Sequence, residues 1–220
     1  IEGSGYFYPV VGETWDGILN DINGFHIKEE HVLEALESAK PGPVAEGNVG
    51  GGTGMVCHDF KGGTGTASRV LSEKEGGYTV GVLLQANHGV GKLFEIQGIP
   101  MADKITGADP VLPSLTPKSG TGSIIVVVAT DAPLSTIQLG KLCKRVPIGI
   151  GKLGSGYENG SGDIFLAFST ANEDAFTATK TTIEILSDEM MDPLYKAVAE
   201  AVEEAILNAL FAGETMDGIQ

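Results

Sequence analysis

Basic residues are scarce: 14 Lys and Arg stand against 29 Asp and Glu, giving a formal charge of -15 at pH 7. A chain of that sign repels phosphate backbones and acidic lipid headgroups, so neither nucleic acid nor a membrane surface is expected as a partner. Cysteine is limited to Cys57 and Cys143, too few for a disulfide framework, and two packed thiols are expected. Neither has a second cysteine or a histidine at zinc-ligand spacing along the chain, so no structural metal is expected. Long apolar runs are missing as well: none reaches the roughly 18 residues of a membrane-spanning helix. The glycine stretches Gly50-Gly51-Gly52-Thr53-Gly54 and Gly63-Thr64-Gly65-Thr66-Ala67-Ser68 lack both the Gly-Lys-Ser/Thr ending and the Gly-x-Gly-x-x-Gly spacing of phosphate loops. No nucleotide or other cofactor is therefore expected. The chain opens on Ile1 with no signal-peptide pattern, and it is read as a piece of a longer precursor. The cytoplasm is favoured, with the periplasm left open.

What is abundant is glycine, 32 of 220 residues, roughly double average usage. It clusters between apolar runs, the pattern of a loop-rich globular enzyme. Hydrophobic residues make up 42%, enough for the core of one large domain spanning 1–220. Residues 28–40 have helical spacing, with Val32, Leu33, Leu36 and Ala39 on one face, and Pro41-Gly42-Pro43 stops them. Residues 78–87 and 163–170 read as buried strands, while 47–65 and 154–162 read as glycine-rich turns. Residues 134–151 have helical spacing with Pro147 as a kink or break. A last helix opens at Asp192-Pro193, the aspartate as cap and the proline at the first position, and runs to Gly213. Strands and helices alternate only loosely, which favours a layered α/β sandwich over a doubly wound sheet.

One junction stands out. Ser119-Gly120-Thr121-Gly122-Ser123 turns into Ile124-Ile125-Val126-Val127-Val128-Ala129-Thr130. Five consecutive β-branched apolar residues read as a strand buried on both faces. Ser123 then sits at the lip of a core strand, after a proline-rich surface loop over 99–122. Gly122 has no side chain to block attack on its own carbonyl. Cleavage at Gly122/Ser123 would leave a serine that carries both a hydroxyl and a free amine, a nucleophile beside its own base. Taken alone, Ser123 reads first as a small polar residue opening a strand, since serines are common at strand edges.

Three separated motifs resemble one family in colinear order: Ser123 through Pro133, Asn20-Asp21-Ile22-Asn23-Gly24, and Gly160-Ser161-Gly162-Asp163. The family is that of the L-aminopeptidase/D-amidase-esterases and β-aminopeptidases, which are self-processing serine aminopeptidases. The resemblance implies an α/β fold, a four-layer αββα sandwich like that of N-terminal nucleophile hydrolases but with different connectivity. It implies autocleavage into a part from 1–122 and a part from 123–220, and a homo-oligomer of the processed units. The substrates implied are small peptides, amides or esters.

The resemblance also assigns roles. Ser123 is the nucleophile, Ser161 bonds near it and its amine, and Asp163 supports that network, where some members carry glutamate. Asn87, otherwise an ordinary Asn-His-Gly turn residue, lends its amide to an oxyanion hole. Glu13, otherwise an exposed carboxylate, receives the substrate ammonium. Trp15 occupies a position that carries tyrosine in other members and walls the pocket. His88 is placed in a loop or subsite, and His26, His31 and His58 are placed in structural or surface roles. Two rivals remain at this point: an acyl-amide (pantetheine-type) amidase, and a non-catalytic fragment or binding module.

Overall fold

The computed structural model describes residues 9–105, 121–176 and 180–219. Its centre is one four-stranded sheet of β3 (Gly63–Val70), β4 (Thr79–Asn87), β7 (Thr121–Thr130) and β8 (Gly160–Ser169), in that spatial order. The first two pairings are antiparallel and β7 runs parallel to β8. Two short hairpins, β1 (Val56–Cys57) with β2 (Phe60–Lys61) and β5 (Glu95–Ile96) with β6 (Ile99–Pro100), sit outside it. The helices are α1 (Glu29–Glu37), α2 (Thr136–Cys143), α3 (Val146–Gly151) and α4 (Asp192–Phe211).

Strand periodicity divides the sheet into two unlike faces. Val80, Val82, Leu84 and Ala86 of β4, with Ile124, Val126 and Val128 of β7, are buried in one core with Leu194, Val198, Val202 and Ile206 of α4. Leu142, Val146 and Ile150 of α2 and α3 close that core. The alternate residues face the other way. Leu83, Ile164, Leu166 and Phe168 are exposed there, and Ile125 and Val127 are half-buried. The expectation of a strand buried on both faces thus holds for one face of β7 among the described residues. The fold is α/β, and of the four layers expected these residues supply two, a helix layer and a sheet.

Two glycines make the close packing of α4 feasible. A Cβ on Gly65 would stand 1.9 Å from the Ala205 carbonyl oxygen, so β3 touches the helix backbone there. A Cβ on Gly149 would meet the Ala199 carbonyl at 2.6 Å, which lets α3 cross α4. Ala197, Ala201, Ala205 and Ala209 are spaced by four on the buried side of α4, a stripe of small residues on one face.

Several boundaries differ from expectation for identifiable reasons. The glycine-dense passage 47–65 contains the start of β3, because Gly63 and Gly65 are there for close approach and not for turns. β8 begins at Gly160 and not at Asp163, since parallel pairing with Thr121 recruits residues read as a turn. The 134–151 segment is two helices: they part at Lys144-Arg145, and Pro147 lies in the first turn of α3 instead of breaking a longer one. Asp192 is the first helical residue of α4, not its cap; Met191 holds that position without a side-chain bond. α1 forms, but Val32, Leu33 and Leu36 are exposed. Most of the expected cleavage loop lies outside the described residues.

Candidate active site

Gly122 and Ser123 lie in the first turns of register of β7, level with neighbours on both sides. Ser123 pairs with Asn87 of β4 and with Gly162 of β8. Directly opposite residues of adjacent strands share a face, so Ser123 and Asn87 both project toward the side away from α4. Both are buried. Asn87 Nδ2 donates to Ser123 Oγ at 3.2 Å and to the Trp15 carbonyl at 2.7 Å. Asn87 Oδ1 accepts from the Val56 N–H at 2.8 Å. The amide is thereby held at both ends, and its orientation follows from its partners.

A second donor converges on the same oxygen. The Trp15 backbone N–H donates to Ser123 Oγ at 3.1 Å. Two donors on one hydroxyl oxygen stabilise negative charge developing there and leave its proton free for a base. The Trp15 indole, expected to wall the pocket, is 46% exposed and folds over Gly17. The Trp15 backbone turns out to be the part that reaches Ser123. The segment before it lies across the sheet: a Cβ on Gly12 would meet Ile125 Cδ1 at 3.1 Å and Ile164 Cδ1 at 3.8 Å. Thr14 Oγ1 anchors the segment by donating to Met55 Sδ at 2.8 Å. Glu13 is exposed on that strap between the two anchors.

Ser161 and Asp163 bond to each other, Oγ to Oδ1 at 2.6 Å. They flank Gly162, so they straddle the level of Ser123 on the adjacent strand. Their strand parity is that of Phe165, which packs on the core side, opposite to the side of Ser123 Oγ. They are thus aligned with the backbone of Ser123 and not with its hydroxyl. Gly122 is confined too: a Cβ there would fall 2.8 Å from the Asn87 carbonyl oxygen and 3.0 Å from His88 Cα. Glycine at this position is required by β4, beyond the open approach to its carbonyl.

Behind Asn87 lies a buried group of Cys57, His58 and His88, whose ligand-type atoms all lie within 4.8 Å of one another. Burial pushes the Cys57 thiol up to about 12. Burial likewise lowers His58 to about 4, against the Val90 backbone and the nearby charges of Glu158 and Asp59, and lowers His88 to about 3 with the help of His58. Both imidazoles are therefore neutral at pH 7. His58 is fully enclosed and not at the surface. What sequence spacing missed is its company, because His88 reaches it through the fold.

A sequence profile described as "Peptidase family S58" matches residues 2–220. The chain belongs to that family. This S58 chain is 47% identical over 227 residues to the beta-peptidyl aminopeptidase BapA of Sphingosinicella microcystinivorans, covering 97% of this chain and 57% of that protein. It is 44% identical to the BapA of Sphingosinicella xenopeptidilytica, covering 96% and 55%. Among solved structures, the L-aminopeptidase D-Ala-esterase/amidase of Ochrobactrum anthropi superposes with a TM-score of 0.84 at 46% identity, over 99% of this chain and 59% of that one. That structure is described as a prototype for the serine aminopeptidases and a new variant among the Ntn hydrolase fold. The S58 chain spans little more than half the length of the curated relatives it matches.

Proposed function

We propose that this chain carries the nucleophile and oxyanion donors of a self-processing serine aminopeptidase acting on short peptides, amides or esters. The observation that carries the reading is the convergence of Asn87 Nδ2 and the Trp15 N–H on Ser123 Oγ. In the processing step Ser123 Oγ attacks the Gly122 carbonyl. The O–C bond forms, the C–N bond breaks, and the hydroxyl proton passes to the departing nitrogen. Water then hydrolyses the ester, leaving a carboxylate on Gly122 and a free amine on Ser123. The Ser161–Asp163 pair, at the level of that backbone, orients and retains the new amine.

In turnover the neutral amine takes the Oγ proton as the hydroxyl attacks the substrate carbonyl. The N–H groups of Asn87 and Trp15, which converge on Ser123 Oγ, lie beside the position where the substrate carbonyl oxygen becomes the oxyanion, and they transfer to it as Oγ bonds to the carbon. The protonated amine next gives its proton to the leaving amine, and water releases the acyl group by the reverse sequence. Glu13, exposed on the strap above the site, receives the substrate ammonium. The Trp15 indole bounds the pocket beside it. The apolar outer face of the sheet supports a sandwich completed by further layers, and the processed unit is read as a homo-oligomer.

The test is the mass and N-terminal sequence of the intact purified protein. Two chains are expected, one of them starting at Ser123, and Ser123→Ala should remain a single inactive chain. A single uncut chain with full peptidase activity would sink the proposal.

A further inference from the structure

We propose that Cys57, His58 and His88 bind one zinc-class divalent transition-metal ion, in a clamp directly behind Asn87. All three side chains are buried, with Cys57 and His58 at 0% and His88 at 2% exposure. His58 Nδ1, His58 Nε2 and His88 Nε2 make no hydrogen bond of ordinary geometry among the described residues, the Val90 backbone being close enough to His58 only to influence its charge. Buried imidazole nitrogens ordinarily find a partner, and leaving them bare costs on the scale of a lost hydrogen bond each. A thiolate and two imidazoles are the borderline donor set that selects Zn(II) over Ca(II) or Mg(II).

The backbone holds this arrangement at some cost. His58 and Asp59 both have left-handed φ, 49° and 64°, unusual for residues other than glycine, and the turn they make swings His58 back over the site. The His58 N–H donates to the His88 carbonyl at 2.8 Å, tying the two ligand-bearing segments together. The His58 ring is stacked on Phe94, with centroids 4.6 Å apart. Gly89 has φ of 85°, and a Cβ there would strike the His58 ring at 2.5 Å. Cys57 Sγ already faces His88 Nδ1 at 3.9 Å. Three positions of a tetrahedral shell, with Zn–S near about 2.3 Å and Zn–N near about 2.0 Å, require these atoms to draw together from their present spacing of up to 4.8 Å. Glu158 adds a charge argument: its Oε1 is buried without a partner, and its negative charge reaches His58. A dication balances that carboxylate and the thiolate together.

Binding exchanges the Cys57 S–H bond for an S–metal bond and releases one proton to solvent. Its consequence lies next door. Val56 precedes Cys57 and holds Asn87 Oδ1, and His88 follows Asn87. The ion would fix the β1–β2 hairpin to the end of β4 and so hold the amide on Ser123. Metal binding itself stands apart from the aminopeptidase reading; only this consequence rests on it, so uptake and turnover are scored separately.

The experiment treats the intact protein with a chelator, dialyses it and titrates it with Co(II), then Zn(II). One equivalent of Co(II) with a thiolate charge-transfer band is expected, displaced by Zn(II), and Cys57→Ser should lose the band and weaken binding at least about a hundredfold. Should Cys57→Ser fail to fold, imidazole NMR on the unaltered protein decides. Zn(II) must shift His58 and His88 and leave the exposed His26 and His31 where they were. No band in the unaltered protein, a band kept in folded Cys57→Ser, or shifts confined to His26 and His31 would overturn the proposal.

Discussion

Replacing Asn87 by aspartate separates its chemical role from its structural one. Aspartate keeps the shape and an oxygen for the Val56 N–H, but it removes the N–H pointing at Ser123 Oγ. Loss of one preorganised oxyanion donor costs about 2.7–4 kcal/mol. The Trp15 N–H remains as a second donor, so the lower end applies, a fall in kcat of about a hundredfold. The structural cost is distinct. The second aspartate oxygen would face the Trp15 carbonyl, which now accepts from Nδ2 at 2.7 Å, leaving buried acceptors unpaired at about 1–3 kcal/mol. In a chain of this size that lowers Tm by about 2–4 °C per kcal/mol. Asn87→Ala removes the donor equally but also strands the Val56 N–H, so it should lose more stability and a similar amount of kcat. The assay is hydrolysis of amino-acid p-nitroanilides by the intact enzyme, with melting followed in parallel. If Asn87→Asp melts lower yet keeps kcat within about threefold of the unaltered enzyme, its amide is a strut and the oxyanion assignment fails.

Gly122→Ala should slow self-cleavage by up to about a hundredfold, the penalty of a displacement near 1 Å at a reacting centre, since its Cβ would meet β4 backbone at 2.8 Å; processing at the ordinary rate on a gel time course would refute this. Gly65→Ala should destabilise by about 1–3 kcal/mol because the added methyl collides with the Ala205 carbonyl of α4, and an unchanged melting curve would show that the helix yields freely. Because the proposed base must be unprotonated, kcat should fall about tenfold per pH unit below the ordinary α-amine pKa of about 7.7–8.0 and level off above it, while kcat/KM should also fall at high pH as the substrate loses the ammonium that meets Glu13. A profile flat to well below that range would exclude the amine as base.

The strands with the strongest β-branched runs were legible because burial on the helix side demands them. β4 and β7 lie within a residue or two of where Tyr78–Asn87 and Ser123–Thr130 suggested. β3 was not, for a physical reason. A strand normally declares itself through side chains, and Gly63 and Gly65 have none because α4 and the Gly47 backbone occupy that space. The same inversion extended β8 backwards through Gly160 and Gly162, where pairing with β7 supplied the order that local composition could not. α1 shows the converse: its apolar stripe forms a helix, yet Val32, Leu33 and Leu36 are exposed.

At the site, the residue types were readable and the groups doing the contacting were only partly so. Ser123 and Asn87 are separated by 36 positions, yet antiparallel register sets them opposite each other, and each is legible as the end of a strand. Trp15 was found through its side chain, whereas its peptide N–H is what touches Ser123; a backbone donor is carried by any residue except proline and leaves no trace in composition. Cys57, His58 and His88 escaped for a related reason. Ligand spacing along a chain detects sites built within one hairpin or helix. Here a two-residue turn in the left-handed region presents His58, and the end of β4 brings His88 from 30 residues further on. The Val56 N–H that steadies Asn87 belongs to the same hairpin. Asn87 and the histidine cluster are thus neighbours through two adjacent peptide units, and a change in packing at His58 should be felt at Ser123 with no side chain of the cluster touching it.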